Sequence, residues 1–579
     1  MAVTRTLLIP AEQREFTVKV NGEAMSRAHH LLSASVNLVA NRIGWARLCY
    51  MDGTAASGDF TLSNTDLFKP GQTVEILAGA GSSNTSIFKG VVVRHSLRMR
   101  DNSAPQLIVD CRHAAMKLTI NRRSASFFDK HDSEIIEDIL GAASIGCEVE
   151  ATRVRHKQLV QFHSSDWDFL LARAAANGKL VWPDGDRLII KAPTVAGSAS
   201  VTLQFGATLL EFDAEIDARQ QYSGVRGISW DSAQQALSET DAAPPALSGP
   251  GNLAPDELAD VAAAGALELR HSTLNESEAQ AWADAAWSLA RLNKVSGRAK
   301  CTGIATIKPG DTVALAGVGK RFNGNVFVTG VRHESDLVQG WKTHVQFGGI
   351  DAETHAQDTS APAAGGLLAR VAGLQIGVVT SLEDPDGEHR VCVRLPMLGD
   401  DNEGIWARVA SLDAGSDRGF FFRPEIGDEG VVGFLDEDPR HAIFLGMLHS
   451  SAKAAPLPGS DDNHEKMYKS RSGMRLYFDD EKNILQLDTP AGNSMTLSED
   501  EQSIVLADQN GNKITLDAKG ISIASSKALT LKAETEISIE SKTCLSAKGG
   551  TELKLEGATQ AELSSSAVTK VKGSMVQIN

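Results

Sequence analysis

The sequence predicts a mainly β protein with some helices, and three observations carry that prediction. Its 579 residues hold 51 glycines but only 5% aromatic residues, a balance that suits many turns and strands with small side chains. Short apolar or alternating runs recur between turn signals through the first 355 or so residues, as half-buried strands require. The last hundred residues then alternate apolar and polar positions with a period of two, which is the side-chain period of a strand and not of a helix. At about 150 residues per domain, the length suits three or four domains.

In chain order, the first strands fall on Phe16-Thr-Val-Lys-Val20, Val74-Glu-Ile-Leu77, Ile87-Phe-Lys-Gly-Val-Val-Val93, Gln106-Leu-Ile-Val109 and Leu188-Ile-Ile190. Three helices interrupt them. Ser133 is placed to cap a helix over Glu134–Leu140, with Gly141 past its end. Ser164 or Ser165 caps Asp166–Ala174, where Trp167, Leu170, Leu171 and Ala174 recur at helical spacing and Gly178 supplies the stop. Ser277 caps a longer helix carrying Trp282, Ala286 and Leu289 on one stripe. These stripes read as core. Four prolines between Ala242 and Pro255 exclude helix or inner strand there. The Ala-, Thr-, Asp- and Gly-rich stretch from Asp351 to Gly366 marks a domain boundary. Beyond it, five short strands (Leu374–Val379, Val391–Leu395, Trp406–Val409, Gly430–Phe434 and Ala442–Leu445) fit a small Greek-key barrel of the OB type. A connector with Pro456 and Pro458 follows.

The C-terminal segment has no aromatic residue after Phe478 and no proline after Pro490. Leu485/Leu487, Ile504/Leu506, Ile514/Leu516 and Ile521/Ile523 are apolar pairs spaced by two, and beyond them Leu529, Leu531, Ile537, Ile539, Leu545, Leu553, Leu555 and Leu563 all share one odd register. A turn follows about every eight to ten residues, which makes a repeat. Ordering an eight-residue segment costs on the order of 8–16 kcal/mol of backbone entropy, at about 1–2 kcal/mol per residue. Two or three buried Leu or Ile side chains return only about 1.5–3 kcal/mol each. A lone ribbon of this kind would also leave both edges unpaired and one apolar face wet. A parallel β-helix could close it within one chain, but its coils are longer and filled with bulkier stacks. Short strands with a thin Leu/Ile face suit a triangular prism wound from three chains. At about 4.8 Å per strand, roughly a dozen segments give a rod around 60 Å long.

Composition and motifs exclude several functions. Lys+Arg 57 against Asp+Glu 73 leaves a net charge of −16, which argues against a nucleic-acid groove. The mean hydropathy is −0.15, and no apolar run reaches the roughly 18–20 residues of a membrane helix. The first residues, Met1 to Pro10, carry no signal-peptide h-region. Cys49, Cys111, Cys147, Cys301, Cys392 and Cys544 form no CxxC pair, so reduced thiols in a reducing compartment are expected. Gly317-Val-Gly-Lys-Arg-Phe-Asn-Gly324 has the wrong spacing for a phosphate loop and reads as a hairpin turn. Asp384-Pro-Asp-Gly387 lacks the further ligands of a calcium loop and also reads as a turn. The histidines, among them His29, His30, His95, His113, His131, His163 and His333, show no metal-ligand spacing, and no Ser or Cys sits in a nucleophile signature. Asp436-Glu-Asp438 is expected as a solvated turn. No catalytic residue, cofactor or metal is expected.

Several stretches resemble VgrG-type spike proteins of contractile injection systems, relatives of the hub and tail-spike proteins of contractile phages. They are Gln161-Phe-His-Ser-Ser-Asp-Trp-Asp-Phe-Leu170 with Ala175-Ala-Asn-Gly178, Ile307-Lys-Pro-Gly-Asp-Thr-Val313, Gly317–Gly324, Val331-Arg-His-Glu334, Gly419–Val432, Asp436–Arg440, Ser472-Gly-Met-Arg-Leu476 and Gln509–Leu516. Each is a weak, turn-forming signature, but their order over more than 400 residues is specific. The resemblance implies a phage-hub-like region over 1–366 with two β-barrel-like subdomains and helical insertions, an OB-fold domain over 367–452, a linker over 453–470 and a trimeric, intertwined β-prism needle over 471–579. Phe68–Ile76 through Ile87–Gly90 resemble the versions on free, phage-tail-like particles more than type VI secretion spikes.

The resemblance further implies a homotrimer that links inner tube and baseplate to a membrane-piercing tip, with a PAAR-like tip protein on the blunt end and cargo effectors among its partners. Met575, Val576 and Ile578, where the apolar register slips from odd to even, are the expected docking residues for that tip. Leu529, Leu531, Ile537, Ile539, Leu545, Leu553, Leu555 and Leu563 are the expected needle core. Assembly in the cytoplasm into a released or cell-anchored particle is expected, with no nucleic acid bound and the target membrane met only on injection. Some family members carry a lysozyme domain before the needle or an effector domain after it; with the short Ser450–Ser470 connector and the end at Asn579, neither is expected here. Two alternatives stand beside this reading: a phage-type hub with cell-wall hydrolase activity, and a trimeric surface adhesin.

Overall fold

The computed structural model describes residues 14–80, 84–231, 234–262, 265–272, 274–349, 363–398 and 403–578. Two compact units divide the chain, Met1–His449 and Ser450–Asn579. The protein is mostly β, as predicted.

In the first unit a 13-stranded sheet places Leu31–Val39, Trp45–Met51, Ser103–Arg112, Thr85–Arg100, Thr73–Ala80 and Arg14–Val20 side by side, and continues on its other flank through Gly324–Asp336, Gly340–Phe347, Val295–Thr302 and Leu209–Ile216. The alternation seen in the sequence sorts its faces. Ala46, Leu48 and Tyr50 on one strand and Val74, Ile76 and Ala78 on another enter a single core with Phe68 and Phe88. Trp341, Thr343, Val345 and Phe347 are buried on alternate positions of the strand Gly340–Phe347. Gly317–Gly324 joins two antiparallel strands, Thr312–Ala316 and Gly324–Asp336, and Val318 N–H donates to Asn323 Oδ1 at 3.0 Å across it. It is a hairpin turn.

Helices Asp132–Ala142 and Asp166–Ala176 pack over short strands around Ile135, Ile139, Trp167, Leu170 and Ile190. Ser165 caps the second helix, accepting from Asp168 N–H at 3.0 Å, and Gly178, at φ +65°, lies just past its end. The other two caps differ from expectation. The first helix starts at Asp132, so Ser133 is inside it and Gly141 is its penultimate residue. Glu134 reaches back to accept from His131 N–H at 2.8 Å, the carboxylate half of a capping box. The long helix spans Glu276–Leu292, capped by Asn275, whose Oδ1 accepts from Glu278 N–H at 2.9 Å. Ser277 is instead held by that same Asn275 oxygen at 2.7 Å. The proline-rich stretch holds no strand, and its last residue, Pro255, opens a helix to Ala262, where a missing N–H costs nothing.

Most of the expected boundary stretch, 350–362, lies outside the described residues. After it, Ala364 and Leu368 join the helical core. Strands Gln375–Ser381, Val391–Arg394, Ile405–Val409, Ala442–Met447 and Glu429–Phe434 close into a five-stranded barrel in that spatial order. Its core of Val379, Val393, Ile405, Val432 and Phe444 also takes in Val160 from the strand Arg155–Ser165. Asp384 forms a turn whose carboxylate is claimed by Arg390, Nε at 2.8 Å and Nη2 at 2.7 Å, so its oxygens serve an ion pair.

In the second unit, seven strands run as an antiparallel meander from Glu465 to Ala524. The linker expected over 453–470 therefore ends sooner, because Glu465–Lys469 pairs in register with Arg475–Asp479. Its five-residue pattern Glu-Lys-Met-Tyr-Lys is too short to stand out in the sequence. From residue 525 to 578 no strand pairs within the chain among the described residues.

Candidate functional site: an unpartnered apolar sheet face

Strand register decides which side chains share a face of the meander. Phe478 lies opposite Leu485, Leu485 opposite Leu497, Leu497 opposite Ile504, Ile504 opposite Leu516, and Leu516 opposite Ile521. Two residues along, Leu476, Leu487, Met495, Leu506, Ile514 and Ile523 make a second row. Directly opposed residues point the same way, as do residues two apart, so both rows occupy one face. The row between them, Tyr477, Gln486, Thr496, Val505, Thr515 and Ser522, lies on the other face and is largely polar.

The apolar face is not covered within its own chain. Leu487 is 46% exposed, Leu506 43% and Ile521 74%. Two open grooves of about 900 Å³ and 610 Å³ run along it, one floored by Leu485, Ile504 and Leu516, the other by Leu487, Leu506 and Ile514. Apolar patches of this extent mark a surface built to meet another. The polar face is pinned by local bonds. Tyr477 Oη donates to Glu465 at 2.8 Å, and that bond pushes the phenol up to about 12. Arg475 Nε donates to Asp488 at 2.8 Å. In one turn, Asp508 accepts from Asn512 N–H at 2.8 Å and from Asn510 N–H at 2.9 Å, which holds its carboxyl below the usual range.

The residues expected as needle core all lie on 525–578. Leu529, Leu531, Ile537, Ile539, Leu545, Leu553, Leu555 and Leu563 are each more than half exposed. The expected docking residues Met575, Val576 and Ile578 are exposed as well.

A second feature escaped the sequence. Asp438, expected on a solvated turn, is fully buried. The reason is Arg440, whose Nη2 donates to Asp438 Oδ2 at 2.6 Å and whose Nη1 bonds Glu278 on the long helix. Glu278 Oε1 in turn lies 3.9 Å from Arg173 Nη2, and Arg173 pairs with Asp132. One chain of charges thus ties both helical layers to the barrel. Burial pushes the Asp438 carboxyl up, but Arg440 and His271 outweigh it and hold it well below the carboxylate range. Burial lowers the His441 imidazole to about 4. No local signal marks this network, because residues 132, 173, 278 and 438–440 are far apart in sequence.

The first unit thus joins a β-rich region to a closed five-stranded barrel, and the second is a strand meander with an open apolar face. Residues 10–336, more than half of the chain, match the family described as the Alg8 N-terminal domain, and the chain belongs to that family. Residues 375–449 match the type VI secretion system/phage-baseplate injector OB domain. Two type VI secretion spike proteins of Pseudomonas aeruginosa are similar over part of the sequence. VgrG4b is 30% identical over 136 residues, 19% of this chain and 16% of its own length. VgrG5 is 33% identical over 111 residues, 18% of this chain and 14% of its own length. The chain therefore spans about a sixth of the length of these curated relatives. The Francisella PdpA–VgrG complex, half-lidded, matches 89% of this chain and 88% of the matched chain at 9% identity and a TM-score of 0.51, a likeness of fold. The VgrG-type resemblance read from the sequence holds.

Proposed function

We propose that the chain is the homotrimeric central spike of a contractile injection machine, joining inner tube and baseplate to a membrane-piercing tip. One observation carries this reading: two continuous apolar rows, from Leu476 and Phe478 to Ile523 and Ile521, have no cover in their own chain. Burying each such side chain is worth about 1.5–3 kcal/mol, so a sheet that leaves nine of the twelve exposed demands partners. Identical copies are the simplest partners, since each brings the same face, and closed rotational symmetry satisfies all of them at once. The segment 525–578, which forms no strand within the chain, fits the same closure, with its backbone groups bonding to neighbouring copies. Both P. aeruginosa relatives are called spike proteins, which supports a mechanical role that needs no chemistry.

In this reading the N-terminal unit seats on tube and baseplate, and Met575, Val576 and Ile578 carry a PAAR-like tip protein. The Francisella VgrG is seen with a second protein, PdpA, which supports partners or cargo on such a spike. The particle assembles in the cytoplasm and acts after release or from a cell-anchored base. Electron microscopy of the purified full chain tests the proposal. A threefold rod built from 465–578 is expected; a map with that ribbon covered by residues of its own subunit would overturn it.

A further inference from the structure

Where the barrel meets the helical layers, two imidazoles and a carboxylate converge from distant parts of the sequence. His271 ends the strand Ala266–His271, while Asp438 and His441 lie on the turn that leads into the barrel strand Ala442–Met447. One ligand atom from each lies within 4.8 Å of the other two. We propose that His271, Asp438 and His441 bind a transition-metal dication of the zinc class, clamping the barrel to the layer beneath it.

Three features of the seam support this. The donor set suits zinc, which is held by imidazole nitrogens at about 2.0–2.1 Å and carboxylate oxygens at about 2.0–2.2 Å, with water free to fill a fourth position. Tetrahedral ligands at those bond lengths stand about 3.3 Å apart, so closing on an ion moves them together by no more than about 1.5 Å.

The supporting shell is also in place. Arg440 N–H and Nε reach Asp438 Oδ1 at 2.9 and 3.0 Å, and its Nη2 reaches Oδ2 at 2.6 Å. These bonds fix the carboxylate with Oδ2 at 3.1 Å from His271 Nε2, the kind of outer bond that orients a ligating carboxylate. The His271 ring is held edge-on to Trp282 at 6.3 Å and to His441 at 5.6 Å. The Nε2 of His441 is shielded from solvent and has no hydrogen-bond partner among the described residues.

Charge favours a cation as well. Three buried carboxylates, Asp132, Glu278 and Asp438, face two guanidinium groups, Arg173 and Arg440, with the His156 imidazole beside Asp132. Metal binds imidazole and carboxylate in their deprotonated forms, so binding weakens at low pH.

The test uses the full chain, stripped with a chelator and titrated with Co²⁺ as a visible probe, then with Zn²⁺. One equivalent of Co²⁺ per chain with visible d–d bands, displaced by Zn²⁺, is expected in the parent protein. The bands should be lost at least tenfold in apparent affinity in His441→Ala and in His271→Gln, and unchanged in His449→Ala. Circular dichroism on each variant separates loss of binding from loss of fold. The proposal is overturned if the parent protein shows no bands, or if the bands persist undiminished in folded His441→Ala or folded His271→Gln.

Discussion

Arg173 grips Asp132 with two parallel hydrogen bonds, Nε to Oδ1 at 2.7 Å and Nη2 to Oδ2 at 3.0 Å, and both side chains are 1% exposed. The third guanidinium nitrogen donates to the Leu367 carbonyl at 3.0 Å, which fastens the chain just ahead of the barrel to the helical layer. Removing one partner of such a pair strands a buried charge at a cost of about 3–5 kcal/mol, whereas removing both is often near neutral. Asp132→Asn and Arg173→Met should each destabilise the first unit by that much, and the double variant by clearly less than their sum. Tryptophan fluorescence during denaturation reads this unit alone, since all eight tryptophans lie between Trp45 and Trp406.

His333 supplies a pH dependence of known sign. Burial, helped by the charge of His344, lowers its imidazole to about 3. Its Nδ1 lies 3.0 Å from Thr343 Oγ1 and accepts from Trp341 Nε1–H at 3.4 Å, so the ring is held neutral. The unfolded chain would take up a proton near pH 6.5 while the folded chain does not. Its contribution is therefore complete above pH 6.5 and lost as pH falls toward 3, at up to about 1.4 kcal/mol per unit. Thermal melts from pH 7 to 4 should show this decline in the parent protein and a shallower one in His333→Gln.

Gly430 is required by contact. A Cβ there would sit 2.2 Å from Phe444 Cζ and 2.5 Å from the Gly446 carbonyl oxygen, both within the closed barrel. Gly430→Ala forces backbone and core apart and should cost about 1–3 kcal/mol. Limited proteolysis should cut the barrel of this variant first.

The two faces of the meander predict opposite outcomes for the same kind of change. Leu487→Asp or Ile504→Asp places a charge in the apolar rows and should dissociate the assembly. Thr496→Asp, on the polar face, should leave it intact. Sedimentation velocity distinguishes the two.

How much of this was legible depends on the range of the interaction. The barrel strands and a serine cap at Ser164 or Ser165 could be read because period-two alternation and a capping side chain are local; the structure picks Ser165. The apolar rows were equally plain, since Leu485/Leu487 and Ile504/Leu506 repeat at fixed spacing. The Ser133 and Ser277 caps went wrong because His131 with Glu134, and Asn275, compete two residues upstream. Asp438 went wrong for a different reason. Nothing near it in sequence shows that Glu278 and His271 will arrive over it, and a turn rich in Asp and Glu reads as solvated until they do.

The molar mass of the full chain in solution, by light scattering at micromolar concentration, tests the central claim most directly. The account predicts about 185 kDa, three times the 61.7 kDa of one chain. A stable 61.7 kDa species that stays soluble with its apolar rows unmet would contradict it.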